Sequence, residues 1–208
     1  MTAHNTVSIL VMGIGNVLWA DEGFGVRAVE TFNALYDCPE TVSVMDGGTQ
    51  GLYLLPHVEA CDALILFDAI DYGLPPGTLK IICDEEVPAF MGAKKMSLHQ
   101  TGFQEVLATA EFLGWKPRRR VLIGVQPAEI DDYGGSLRPI VDAAIEPAIA
   151  SALAELEALG ATVRRRQAPV EALGPDALDR ALYETERPSA AEACRIGDPR
   201  FIDIQAGD

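Results

Sequence analysis

Two carboxylates and one imidazole in this chain could together bind a divalent metal ion. Glu22 follows the first apolar run, Asp68 ends the most apolar run, and His99 opens a later helical segment. Carboxylate and imidazole ligands suit a borderline divalent cation, and three of them leave coordination positions for a guest. The dipole at a helix N-terminus disfavours imidazolium, so His99 would stay neutral and able to donate a lone pair. Glu22 and Asp68 would repel one another, and a cation would relieve that repulsion.

A third carboxylate, Asp46, ends another apolar run and precedes the Gly-rich turn Gly47–Gly51, whose amides could receive an extended peptide. Each of these four residues also has an ordinary structural interpretation. Glu22 could complement a helix dipole, Asp68 could form a turn, His99 could cap a helix, and Asp46 could open a tight turn. Their common placement at one edge of a sheet favours the functional interpretation.

The elements that would position these residues alternate between strands and helices. Short apolar runs predict strands at Val7–Met12, Val42–Met45, Ala63–Phe67 and Val121–Val125, with an edge strand at Thr78–Ile82. Helical spacing is found after Asp21, an expected N-cap, after the capping-box sequence Ser97-Leu-His-Gln100, and over about Leu137–Leu159. This alternation predicts an α/β domain with a mainly parallel sheet covered on both faces. Sites in such sheets form beyond the carboxyl ends of the strands.

The composition excludes several classes of partner. Sixteen basic and 31 acidic residues give a formal net charge of −15, which disfavours nucleic acid and anionic membranes. The longest apolar run is too short to span a membrane, and acids follow Val7–Ala20 where a signal peptide needs small residues. The four cysteines have no metal-site spacing and are expected to be reduced. We therefore expect a soluble, cytoplasmic protein without membrane insertion.

Familiar catalytic and cofactor motifs are missing. The turn Gly13-Ile-Gly15-Asn16 lacks the third glycine of the dinucleotide fingerprint, and no phosphate-binding Gly-x-x-x-x-Gly-Lys sequence occurs. A Gly-x-Ser-x-Gly nucleophile turn and a His-Glu-x-x-His zinc motif are also absent. The sequence therefore predicts no organic cofactor and disfavours a conventional zinc protease.

Composition changes after Gly160. Residues 161–208 contain Arg164-Arg-Arg166, several prolines and no lysine, and Ala172–Tyr183 is the one stretch with a helical pattern. We interpret 1–160 as a single domain and 161–208 as a C-terminal appendage that is mobile or loosely docked.

A series of motifs resembles the hydrogenase maturation proteases. The sequence Gly13-Ile-Gly-Asn-Val-Leu-Trp-Ala-Asp-Glu-Gly-Phe-Gly-Val-Arg27 resembles the opening motif of that family, and Asp46-Gly-Gly-Thr-Gln-Gly-Leu-Tyr-Leu-Leu55 resembles its second motif. The remaining motifs follow in family order: Asp68-Ala-Ile, Asp84-Glu-Glu-Val-Pro88, Ser97-Leu-His-Gln100, Gly124-Val-Gln-Pro127 and Ile145-Glu-Pro147. The resemblance covers about residues 7–160 and is greatest to the branch that serves uptake hydrogenases.

The resemblance implies a twisted, mostly parallel five-stranded sheet with helices on both faces. It implies that Glu22, Asp68 and His99 bind a metal. The substrate would be a [NiFe]-hydrogenase large-subunit precursor, which contributes the nickel and loses a C-terminal extension. We expect the enzyme to be a monomer.

The catalytic roles stay open among Glu22, Asp68 and Asp46. The family is grouped with aspartic-type endopeptidases, yet this chain has no pair of Asp-Thr/Ser-Gly motifs for a shared-proton dyad. Nickel could polarise the scissile carbonyl or a water, or Glu22 or Asp68 could act as the base. The alternatives are a non-catalytic nickel-sensing chaperone, a nucleotide-binding α/β domain and a peptidase of related fold, such as a spore-protein protease.

Overall fold

Five strands form one sheet in this computed structural model, which describes residues 7–87, 98–168, 170–175 and 178–186. The strand order is β3-β1-β4-β6-β5, and only β5 runs antiparallel to its neighbour. The strands are β1 Ile9–Ile14, β3 Val42–Gly48, β4 Ala63–Ala69, β5 Leu79–Cys83 and β6 Arg119–Val125, and β2 is the separate short strand Tyr36–Asp37. The predicted α/β class, the mainly parallel sheet and the edge position of β5 are confirmed.

Helices cover both faces of the sheet. The helices are α1 Phe24–Leu35, α2 Leu55–Glu59, α3 Leu98–Phe112, α4 Pro139–Asp142, α5 Ile145–Ala158 and α6 Arg180–Glu186, with short 3-10 helices at Ala20–Gly23 and Gly51–Leu54. Apolar residues of α1 and α5 pack on one face, and those of α2 and α3 pack on the other. We call these the α1 face and the α3 face.

Alternation along the strands decides which side chains reach each face. In β4, Phe67 packs into the core on the α1 face, while Leu66 packs into the core on the α3 face. Every residue of β1 and β4 is buried, as expected for internal parallel strands covered on both sides.

The described part of the appendage lies along α1. Strand β7, Arg164–Arg165, pairs antiparallel with β2, and the Arg166 side chain donates to the carbonyls of Asn33 and Tyr36 at 3.2 and 2.9 Å. The prediction of one helix over Ala172–Tyr183 is wrong, because α6 begins only at Arg180. Pro175 disfavours helical backbone at the residue before it, which accounts for the late start.

Candidate active site

The carboxyl ends of β1, β3 and β4 meet at one edge of the sheet. Gly13 of β1 pairs with Asp46 of β3 on one side and with Phe67 of β4 on the other. Asp68 therefore comes one residue further along β4, and its own partner in β6 is Gly124. The structure thus places two of the predicted site residues, Asp46 and Asp68, at the same end of the sheet.

The faces of the sheet separate these two acids. Phe67 packs on the α1 face, so the side chain of Asp68 leaves toward the α3 face. Val44 packs on the α1 face, so Asp46, two residues along β3, also leaves toward the α1 face. The structure does not bring Asp46 and Asp68 together, although they share an edge.

Asp68 is completely buried, and its Oδ1 accepts a hydrogen bond of 2.8 Å from the N–H of Ala69. The hydroxyl of Tyr72 occupies the space beside it. A Cβ added to Gly124 would lie only 2.1 Å from that hydroxyl, and Gly124 is the partner of Asp68 on a strand about 4.8 Å away. Burial and the charge of Asp68 raise the pKa of Tyr72, so its hydroxyl stays protonated and can donate a hydrogen bond.

Gln126 holds the loop that carries Tyr72. Its side-chain oxygen accepts hydrogen bonds from the N–H groups of Tyr72 and Leu74 at 2.7 and 3.1 Å. Its amide nitrogen donates to the Asp71 carboxylate at 3.1 Å. The Lys80 ammonium also lies 5.1 Å from the centre of the Tyr72 ring. The loop after β4 is therefore fixed by β6 and β5, and Tyr72 is held beside Asp68.

Glu22 lies in the 3-10 helix Ala20–Gly23, which packs against β4. This helix is held close to the sheet by glycines. Gly15, with φ of 136°, passes so near that an added Cβ would lie 1.9 Å from the Glu22 carbonyl oxygen. A Cβ on Gly25 would meet the carbonyl oxygens of Ile14 and Phe67 at 2.2 and 2.3 Å. The glycines of the first motif thus allow Glu22 to sit over the ends of β1 and β4.

His99 is the second residue of α3, the helix that covers the face toward which Asp68 points. The side chain of His99 and the predicted cap Ser97 lie outside the described residues. Among the side chains that are described, no three His, Cys, Asp or Glu residues form a group that could hold a metal ion. The predicted metal set includes His99, so its convergence stays a prediction.

Asp46 is half-buried against α1. Desolvation raises its pKa above the ordinary value, and a hydrogen bond from the Gly48 backbone and the charge of Arg27 offset only part of this. The pKa of Glu30 is raised for the same main reason, with a further contribution from Asp46. Arg27 donates to the Glu30 carboxylate at 2.9 Å. Asp46 therefore belongs to a charged cluster under α1 rather than to the surroundings of Asp68.

The structure corrects the expected role of Asp21. No side-chain cap hydrogen bond occurs at the 3-10 helix or at α1, whose N-cap position is Gly23. The buried Asp21 carboxylate instead accepts hydrogen bonds of 2.8, 2.8 and 2.7 Å from the N–H groups of Ala128, Glu129 and Arg138. It fixes the loop after β6 beside the helix that carries Glu22. Hydrogen bonds from three backbone donors to a buried carboxylate form a strong interaction.

Two of the described cysteines are poorly suited to act as nucleophiles. Cys38, Cys61 and Cys83 are free thiols. Burial raises the pKa of Cys38 to about 11 and that of Cys61 to about 12. Thiolates are the reactive form of cysteine, so these two groups stay protonated and unreactive near neutral pH.

Comparison with known families decides the identity of the chain. The model of the hydrogenase maturation protease family matches residues 26–155. The chain belongs to this family. A maturation protease of this kind is an endopeptidase that takes part in hydrogenase maturation.

Relatives of this maturation protease span nearly its whole length. The hydrogenase expression/formation protein HupM of Azotobacter chroococcum is 59% identical over 195 residues, covering 94% of this chain and 93% of the relative. HupD of Rhodobacter capsulatus is 57% identical over 97% of this chain and 96% of the relative. These identities confirm the predicted family and branch.

A solved structure of the family shares the fold. The hydrogenase maturating endopeptidase HybD from Escherichia coli superimposes with a TM-score of 0.72 at 42% sequence identity. The match covers 76% of this chain and 97% of the E. coli chain. Among the described residues of this maturation protease, no helix is long and apolar enough to cross a membrane.

Proposed function

We propose that this maturation protease removes the C-terminal extension of a nickel-loaded [NiFe]-hydrogenase large-subunit precursor. The observation that carries the proposal is the position of Asp68. It is fully buried at the carboxyl end of β4 and points toward the face covered by α3, in which His99 is the second residue. The 3-10 helix that contains Glu22 packs against the same strand. Two carboxylates and one imidazole are suitable ligands for nickel that the precursor brings.

Glu22, Asp68 and His99 are the proposed nickel ligands, and each comes from a different element. The nickel belongs to the precursor, so binding it would place the scissile bond at this edge of the sheet. Such positioning lowers the barrier by holding the reacting groups together. No organic cofactor is proposed.

The cleavage itself is a hydrolysis. A water oxygen bonds to the scissile carbonyl carbon, a base accepts the water proton, and the C–N bond breaks as the leaving amine is protonated. Glu22 or Asp68 is the proposed base, and the protonated Tyr72 hydroxyl could stabilise the charge on the carbonyl oxygen. Asp46 is proposed only to support the turn Gly47–Gly51, because its side chain points to the α1 face, away from Asp68.

The test is an in vitro assay with purified precursor, either loaded with nickel or free of it. We expect mass spectrometry to show loss of the C-terminal peptide only from the nickel-loaded precursor. Equal cleavage of both forms would contradict the role of nickel. A precursor that binds the protein but keeps its full mass would support the non-catalytic chaperone instead.

The His99→Ala variant tests the imidazole, with His57→Ala as its matched control. His57 is an exposed residue of α2 and has no proposed contact with nickel. We expect His99→Ala to lose cleavage by about 100-fold or more, because loss of even an outer-shell partner of a metal ligand costs about 10–100-fold. His57→Ala should retain cleavage. Equal activity of the two variants would remove His99 from the mechanism. We also propose that the enzyme acts in the cytoplasm as a monomer.

A further inference from the structure

The C-terminal arm, defined as the described residues 164–168, 170–175 and 178–186, runs along α1 from one end of the domain to the other. At its start, β7 pairs with β2 just after the end of α1. The N–H of Arg166 donates to the Leu35 carbonyl at 2.7 Å, and its guanidinium binds the Asn33 and Tyr36 carbonyls. These carbonyls lie in the last turn of α1 and just beyond it, where acceptors lack partners within the helix. The arm therefore begins by capping α1.

The middle of the arm crosses the Asp46 cluster. Leu173 packs against the apolar core on the α1 face. A Cβ added to Gly174 would lie 3.4 Å from a carboxylate oxygen of Asp46 and 3.8 Å from one of Glu30. Arg27, only 4% exposed, donates to the Leu178 carbonyl at 2.8 Å as well as to Glu30. The arm thus closes over the acids that end β3 and line α1.

The end of the arm reaches the edge of the sheet where Glu22 lies. Tyr183 and Glu184 of α6 line a small cavity together with Ala20 and Gly23, the first and last residues of the 3-10 helix that contains Glu22. Arg180 ties α6 to the domain through a hydrogen bond of 2.6 Å to Asp142. Leu182 is 47% exposed on this helix. An apolar side chain therefore faces solvent on a helix that lies against the 3-10 helix containing Glu22.

The α6 end of the arm occurs in some relatives and is missing from one. The HupM relative is matched over 94% of this chain, a span that extends beyond the arm. The match to the E. coli hydrogenase 2 maturation protease covers 161 residues and 97% of that relative. That length is too short to reach from β1, an internal strand of the sheet, to α6. The α6 end of the arm is therefore an addition to the domain that the two chains share.

We propose that the C-terminal arm is a recognition element for the large-subunit precursor, with α6 contacting the client beside the scissile segment. This inference rests on the proposed function and gives the arm a role in selecting the precursor that is processed. An element that is anchored along its length and ends against the 3-10 helix containing Glu22 adds binding surface near that residue without reorganising the α3 face. Exposed Leu182 is the apolar contact that α6 offers to the precursor.

The test is a substitution on the exposed side of α6 in the full-length protein. We expect Leu182→Asp to weaken binding of the nickel-loaded precursor by about tenfold, the size of a typical interface contact, and to raise KM while kcat changes little. The matched control is Leu113→Asp. Leu113 is 58% exposed and follows the C-terminus of α3, away from the strand ends that carry Asp46 and Asp68. The control should bind and cleave as the parent protein does.

The outcomes separate this inference from the proposed function. Parent-like precursor affinity for Leu182→Asp, measured by titration on a variant with an unchanged melting temperature, would overturn the role of the arm. Equal weakening by Leu182→Asp and Leu113→Asp would overturn it too, because the effect would not belong to α6. The parent protein could also bind the precursor without cutting it. If Leu182→Asp still weakens that binding, the role of the arm is supported and the proposed protease activity is contradicted.

Discussion

The carboxylate of Asp46 lies on the α1 face of the sheet, and the carboxylate of Asp68 lies on the α3 face. Both strands that carry these acids are neighbours of β1, so the two residues are close along the edge but separated by the sheet itself. A single ion on the α3 face is within reach of Asp68 and shielded from Asp46. We therefore propose that Asp68 takes part in the chemistry and that Asp46 has a supporting role.

Paired substitutions test this division. Asp68→Asn removes a proposed nickel ligand, and we expect cleavage of the nickel-loaded precursor to fall by about 100-fold or more. Asp46→Asn changes the same type of group at the same edge of the sheet. We expect its activity to stay within about tenfold of that of the parent protein, because Asp46 is not a proposed nickel ligand. Single-turnover cleavage measures both. Equal losses in the two variants would contradict the separation by face.

The raised pKa of Asp46 makes a prediction for stability against pH. A folded-state pKa above the unfolded value means that the folded state binds more protons, so this group lowers stability as pH rises through that interval. Asp46→Asn removes this loss of stability, because the asparagine side chain does not ionise. We expect its melting temperature at pH 7 to exceed that of the parent by about 1–3 °C. The difference should shrink as pH falls and disappear below the unfolded pKa of 3.8.

Asp62→Asn is the control variant, because its effect on the melting temperature at pH 7 should have the opposite sign. Hydrogen bonds from the Ser8 N–H and hydroxyl, at 2.9 and 3.0 Å, lower the pKa of Asp62. The stability that Asp62 contributes is present above its unfolded pKa and is lost as pH falls through the folded value. Asp62→Asn should therefore melt below the parent at pH 7 and approach it in acid. Changes in melting temperature of the same sign for both variants at pH 7 would contradict this explanation.

Tyr72 and Gly124 give a third prediction, which concerns activity. Gly124→Ala places a methyl group where the Tyr72 hydroxyl lies, so the ring must move away from Asp68. We expect a stability cost of about 1–3 kcal/mol, as for other overpacked sites, and a loss of cleavage larger than that caused by Tyr72→Phe. Chemical denaturation and precursor cleavage are the two measurements. Parent-like cleavage by both variants would exclude Tyr72 from the site.

Asp21 gives a fourth prediction, which concerns the loop after β6. Asp21→Asn keeps the shape of the side chain but replaces one acceptor oxygen with an amide nitrogen, leaving backbone donors of this loop unsatisfied. We expect a stability loss of about 1–3 kcal/mol by denaturant unfolding. The exposed Asp131→Asn, in the same loop, is its control and should change stability little. A neutral Asp21→Asn variant would show that the three hydrogen bonds contribute little.

Local pattern was enough to predict the strands and the edge at which Asp46 and Asp68 end. It could not assign their faces, because β4 is apolar throughout and a strand buried on both sides has no alternation to read. Register with neighbouring strands supplies that information, and register is a property of the folded sheet.

Long-range contacts account for the other differences. The amides that bind Asp21 lie more than 100 residues further along the chain, so its sequence surroundings suggested only a helix cap. The sequence of 161–208 predicts a mobile or loosely docked appendage, because it is rich in proline and arginine and has few large apolar residues. Its described contacts are backbone pairing and arginine hydrogen bonds, which leave little hydrophobic periodicity in a sequence. How tightly the whole of 161–208 is held stays a prediction.

The close contact of Gly25 with the Ile14 and Phe67 carbonyls limits what the domain can do when a client arrives. A helix start that touches two strands through bare backbone has no side chains to repack, so it cannot shift by small steps. We expect this end of the enzyme to act as a rigid template. In the proposed function, the C-terminal tail of the precursor would therefore have to adjust its own shape to fit there.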